Sequence, residues 1–251
     1  LEELGEVGPY HLDIDGSAVS GGAARGPFET KKLSADYTAT YPILDSHAAE
    51  RERTLQIEPD SQGIPRVGTT ADEIKVLEQR RDRIWTSRSR LHLNTDFRFN
   101  SQTLAFSITA EPSLGGRAWP TFKTKDATHD ILVSLWCNSS FCLLSYWWSA
   151  NKAQDGRGSI TTSQMPKFSV LDPRELGAAK LKKASTFFDK WKSKPMLQAH
   201  KLADDPVRAK LDEFILKELL DCGADLSNMI ATTGVLRRKL GQEPSFNGGR
   251  K

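Results

Sequence analysis

At 251 residues the chain is long enough for one large hydrophobic core or two smaller ones, and its 38% hydrophobic and 27% charged residues are those of an ordinary globular protein. A net charge of +3 does not by itself imply a nucleic-acid partner. Three cysteines (Cys137, Cys142 and Cys222) form no CxxC pair, which argues against a disulfide framework or a cysteine zinc site and for buried thiols in a reducing, cytoplasmic setting.

The first 40 residues are glycine-rich, with strand-like pieces at 10–14 and 28–33 around a glycine-rich loop. No signal peptide opens them, and a start at Leu1 rather than Met suggests a piece of a longer polypeptide. Residues 41–63 read as a loop, a short helix and a strand at 54–58 stopped by Pro59-Asp60. Thr70 followed by Glu73 is a capping-box signature for a helix reaching about residue 89, with Ile74, Leu77, Arg81, Ile84 and Trp85 near helical spacing. Over 91–99 the pattern alternates. Leu91, Leu93, Thr95, Phe97 and Phe99 share one face, and His92, Asn94, Asp96 and Arg98 share a polar one. The Asn100-Ser101-Gln102 turn then leads to a second strand at 103–109, a Gly115-Gly116 loop and a third strand at 118–123.

Residues 131–148 form two apolar helices broken at Asn138-Ser139. Five polar residues interrupt them, so a buried helix pair is the better reading than a membrane span. A polar turn at Gln154, Gly156, Arg157 and Gly158 precedes a short strand closing at Asp172-Pro173. Helices follow: one from Pro173 to about Lys194, one capped by Asp204 or Asp205 with Pro206 in its first turn, and one over 226–240. The ending EPSFNGGRK reads as polar and loose. The expected fold class is α+β: a glycine-rich segment (1–40), a domain with mixed and antiparallel strands (41–172) and a helical C-terminal region (173–251).

Charge is unevenly placed. Residues 80–98 hold six arginines against two aspartates, and Lys180, Lys182, Lys183, Lys190, Lys192 and Lys194 crowd one helix, where a solvated face explains them well. Catalytic patterns are sparse. There is no Asn/Asp/Ser-Pro-Pro-aromatic tetrad, no Gly-rich strand-to-helix turn for a dinucleotide or S-adenosylmethionine, and no histidine pair at i, i+4. Glu58 and Asp60 with Lys75 form only a stretched nuclease pattern. The expectation is that this piece performs no catalysis alone.

Binding chemistry is better represented. Arginine pairs bidentately with guanine, and asparagine or glutamine with adenine. Asn94, Arg98, Asn100, Ser101 and Gln102 suit that role, although Asn100 and Ser101 equally suit a turn. Arg117 after Gly115-Gly116 can approach a phosphate, as can Gln154, Arg157, Ser159 and Thr161; turn-building is the alternative for each group. Trp136, Trp147 and Trp148 read as core rather than base-stacking platforms.

The succession RLHLNTDFRFNSQTLAF, GGRAWPTF, LWCNSS, GRGSITTSQMPKFSVLD and RAKLDEFILKELL, over about residues 41–240, resembles the target-recognition region of N6-adenine DNA methyltransferases and of restriction-modification specificity subunits. The "LNS" helix pair and the closing "R…LD" helix carry much of the likeness. The resemblance implies duplex DNA as partner, a methyltransferase catalytic domain in the same chain or in another subunit, and S-adenosylmethionine for the parent enzyme, with no cofactor in this piece. It implies that residues 154–161 lie near DNA. The other reading, from a different class, is an assembly module of a defence complex that docks a partner through the C-terminal helices. Recognition predicts Arg98 and Arg157 on one basic surface; assembly predicts an exposed apolar stripe on those helices.

Overall fold

The computed structural model describes residues 1–9, 11–15, 26–33, 40–48, 50–95, 97–153, 157–159 and 167–248. In chain order these form β1 (Gly5–Val7), α1 (His11–Ile14), β2 (Phe28–Lys32), β3 (Pro42–Leu44), β4 (Ser61–Pro65), α2 (Ala71–Trp85), β5 (Ser89–Leu93), β6 (Phe106–Gly115) and β7 (Phe122–Thr124). They continue as α3 (Asp130–Cys137), α4 (Ser140–Ser149), β8 (Asn151–Ala153), β9 (Arg157–Ser159), α5 (Gly177–Trp191), α6 (Pro206–Phe214), α7 (Leu226–Gln242) and α8 (Pro244–Asn247). The class is α+β. A five-stranded sheet runs β2-β4-β3-β6-β5, antiparallel except for the parallel β3–β6 pair, with β1–β7 and β8–β9 as separate two-stranded ribbons.

Local signals account for several helices. Thr70 Oγ1 accepts from the Glu73 amide at 3.2 Å, and the Glu73 carboxylate takes the Thr69 amide at 2.7 Å, which starts α2. Ser139 caps α4 after the Asn138 break. Asp205 accepts from the Val207 and Arg208 amides at 3.0 and 3.1 Å, with Pro206 in the first turn of α6. Helix α6 continues as a π-helical turn, Ile215–Leu219.

Other expectations are corrected. Residues 11–14 are helical rather than extended. Residues 54–58 make a single parallel bridge, Gln56 to Ile108, and the strand lies further on, at Ser61–Pro65. There it pairs on both sides, with β2 and β3, which overrides its poor strand composition. No strand occupies 167–171. The loop expected at 15–26 falls largely outside the described residues. The tail is not loose where described: Phe246 of α8 is fully buried and stacks on Phe99 with centroids 4.3 Å apart.

One hydrophobic core runs from Leu1 and Leu4 through β5, β6, α3 and α4 to α5, α6, α7 and Phe246, so it is continuous across Asp172-Pro173. A second, smaller cluster of Ile14, Phe28, Ile43, Ile84 and Leu114 lies under α2. Only the C-terminal end of α2 is anchored there: Ile84 is buried, whereas Ile74 and Val76 are exposed. No helix among the described residues is long and apolar enough to cross a membrane.

Candidate nucleic-acid interface

Strands β5 and β6 pair antiparallel, with Leu93 opposite Phe106, so residues 94–105 form a long connection rather than a tight hairpin. Its conformation is set from inside. The Asn94 side chain is buried, donating to Gln102 Oε1 at 3.2 Å and to the Leu104 carbonyl at 3.3 Å. Gln102 Oε1 also accepts the Arg98 backbone N–H at 2.6 Å. The Asn94 carbonyl accepts the Tyr146 hydroxyl at 3.3 Å. Asn94 and Gln102 therefore turn inward and hold the turn, and do not face a partner as the alternating pattern suggested. Of the polar face expected of 91–99, His92 is covered as Asn94 is, and Asp96 lies outside the described residues. His92 is fully buried between the Trp119 carbonyl (3.2 Å) and Ser113 Oγ (3.0 Å), which makes Nδ1 the donor and Nε2 the acceptor in the neutral ring. Burial holds its pKa down to about 4.

What the turn leaves outward is Arg98 and Asn100, both half-exposed, and Ser101, which is exposed. The turn is braced from the C-terminal side, where the Ala199 and His200 amides donate to the carbonyls of Gln102 and Phe99 at 2.8 and 2.9 Å.

The base of the connection is clamped by Asn138, which the sequence marks as a helix break, and by Arg208, which it marks only through the resemblance. Asn138 Oδ1 accepts the Ala105 and Phe106 amides at 3.0 and 3.4 Å, and its Nδ2 donates to the Phe106 and Ser134 carbonyls at 2.8 and 2.9 Å. A side-chain amide thus stands in for a missing strand neighbour at the start of β6. Arg208, fully buried in α6, donates to the Asn138 carbonyl and, at 3.1 Å, to the Thr103 carbonyl. Asp212, one turn on, accepts the Ser140 amide at 2.9 Å and Arg237 Nη1 at 2.8 Å. The CNSS and RAKLD motifs meet here.

Arg117 lies on a different loop. Its side chain is exposed, and its amide donates to Asp45 Oδ1 at 3.0 Å. Gly116 is required beside it, because a Cβ there would fall 2.4 Å from the Asp45 Cα. Asp60 in turn accepts the Asp45 and Ser46 amides at 2.7 and 3.1 Å. Burial would raise the Asp60 carboxyl, but those amides, the Ser46 hydroxyl and Arg51 together hold it below its ordinary value. Asp60 is thereby a loop-building carboxylate, held by Asp45, Ser46 and Arg51. Among the described residues, no three His, Cys, Asp or Glu side chains gather as a metal-binding group.

Arg157 and Ser159 belong to β9, opposite Ala153 and Asn151 of β8, in a small ribbon following α4; Gly156 lies outside the described residues. Gln154 and Thr161 lie outside the described residues. The arginine surplus of 80–98 is dispersed: Arg81 pairs with Asp82, Arg88 stacks over Trp85 at 4.8 Å, and Arg90 Nε donates to the Thr109 carbonyl.

No family model matches the chain, and no curated protein matches it. The solved structure of the type IIG restriction endonuclease BpuSI shares the fold with a TM-score of 0.53 at 11% identity, over 86% of this chain and 30% of that one. This chain spans under a third of that protein's length, and at such identity the likeness is one of fold.

Proposed function

We propose that this chain is the DNA sequence-recognition region of a restriction-modification protein, acting on duplex DNA beside a methyltransferase domain of the N6-adenine type. The observation that carries the reading is the 94–105 connection. Its inner polar groups are committed to holding a turn, and its outward groups are an arginine, an asparagine and a serine. Pre-set side chains of those types suit base reading, because little ordering entropy is lost on contact. The fold shared with a restriction endonuclease supports the same reading. Arg98, Asn100 and Ser101 are the base-reading set; Arg117, Arg157, Ser159 and Gln154 are assigned to the backbone. Asn94 and Gln102 hold the frame. The S-adenosylmethionine site belongs to the catalytic part of the parent protein.

The test is selection from randomised duplexes followed by anisotropy titrations at several salt concentrations. Arg98→Ala should relax preference at particular base pairs by about 1–3 kcal/mol. Arg157→Ala should weaken all sequences alike and flatten the salt slope by about one unit. Wild-type affinity and preference in both variants would refute the assignment.

A further inference from the structure

Helices α5 and α6 run antiparallel. Phe187 faces Phe214, Lys183 bonds Glu218 at 2.8 Å, and Lys180 reaches Asp221 at 2.6 Å. Between them lies a groove of about 800 Å³ with an apolar floor of Phe187, Trp191 and Phe214. Its rim carries Lys182, Lys183, Lys190, Lys210 and Lys217 against Glu213 and Glu218. Lys210 and Lys217 pair with those glutamates, whereas Lys182 and Lys190 have no carboxylate partner among the described residues. Part of the lysine run therefore borders the half-buried rings of Phe187 and Trp191 rather than open solvent alone.

We propose that this groove docks an acidic amphipathic helix of a partner protein. From Ala179 to Trp191 the α5 wall rises about 18 Å at 1.5 Å per residue, the length of a helix of about three turns. Helix-in-groove recognition needs an apolar floor for residues at i, i+3, i+4 and i+7, and a rim of opposite charge to set orientation. Both are present, and the surplus rim charge is positive. Single-stranded nucleic acid fits less well, because stacking needs open ring faces. Phe187 lies nearly parallel to Phe214 at 4.4 Å and to Trp191 at 5.8 Å, and Lys190 Nζ sits 5.9 Å over the Trp191 ring. The rings are engaged with one another and offer apolar contact rather than slots for bases.

The probe is a fluorescein-labelled peptide of four turns with leucine at the i, i+3, i+4 and i+7 positions and glutamate elsewhere. Its competitors are the lysine-for-glutamate version and a short oligothymidylate. The whole 251-residue chain is used. Saturable binding of the acidic peptide is expected, with at least tenfold loss in the exposed double variant Lys182→Glu/Lys190→Glu and in Trp191→Ala. Neither competitor should displace it. Circular dichroism melts of the charge variant should match wild type, so that lost binding is not lost folding. Displacement by oligothymidylate, binding indifferent to these residues, or no saturable binding overturns the proposal.

Discussion

Replacing Arg208 by Met keeps most of the aliphatic stem and removes the guanidinium. Two buried carbonyls, of Thr103 and Asn138, then lose the donor they have. Each orphaned group costs about 1–3 kcal/mol. Asp205, 3.6 Å from Nε, and Asp212 lose a neighbouring cation, but both keep amide donors, and Asp212 keeps Arg237. The expected loss is about 3–5 kcal/mol, the range for breaking a buried charged contact and a large share of a typical domain's stability. Urea unfolding followed by tryptophan fluorescence measures it, with Lys210→Met on the same helix as an exposed control expected within about 0.5 kcal/mol. Asn138→Ala should cost a similar amount. The double variant should cost less than the two together, because both residues pin residues 103–106 and the segment is released only once. A loss under about 1 kcal/mol for Arg208→Met, or full additivity, would refute the clamp.

The other expectations concern the turn, the loop, the tail and pH. Gln102→Ala removes the acceptor of the Arg98 amide and should weaken DNA binding although it touches no base; unchanged titrations would contradict that. Gly116→Ala should cost about 1–3 kcal/mol by driving a Cβ into the Asp45 backbone, and chemical denaturation reports it. Phe246→Ala should cost about 3–5 kcal/mol, where a loose tail would cost nothing. Asp130 is buried, which pushes its pKa from 3.8 up to about 6 against the pull of the Thr124 hydroxyl, Arg90 and His129. A raised carboxyl contributes stability that is complete below 3.8 and lost as pH rises through about 6. Asp130→Asn should therefore stabilise the protein at pH 7, by about 3 kcal/mol, and the gain should vanish near pH 4 in urea titrations. His92 runs the other way. Its depressed value makes its contribution complete above about 6.5 and lost as pH falls toward 4, so the deficit of a His92→Gln variant should narrow over that window.

Much of the helical part was legible because its signals are local. Thr70 and Asp205 cap within three residues, Asn138-Ser139 breaks a helix pair, and Pro206 fits only a first turn. The β part was less legible because its rules are not local. Residues 91–99 alternate, yet His92 and Asn94 are buried, since Trp119 and Ser113 close over one and the 94–105 connection folds over the other. Ser61–Pro65, with a glycine and a proline, becomes a strand because two neighbours hold it. Of the candidate contact residues, type and position in a turn were readable for Arg98, Asn100, Ser101 and Arg117. The inward commitment of Asn94 and Gln102 was not, because nothing in a one-dimensional pattern tells a polar side chain that meets solvent from one that satisfies backbone. The same limit hid the value of Asn138 and Arg208, whose partners lie about 30 and 105 residues away.

That last separation bears on how the chain is made. While it leaves the ribosome, the Thr103 carbonyl waits for a donor that is 105 residues further along. At about 5–20 residues per second, this leaves the Thr103 carbonyl without its donor for roughly 5 to 20 s. Nascent chains short of Arg208 would carry an unfinished sheet margin, for which chaperones and neighbouring nascent chains compete. A gene cut at Asp172 would freeze that interval permanently. Its product would hold all nine of the described strands and Asn138 but not the Arg208 donor, and expressed alone it should be found among the aggregates.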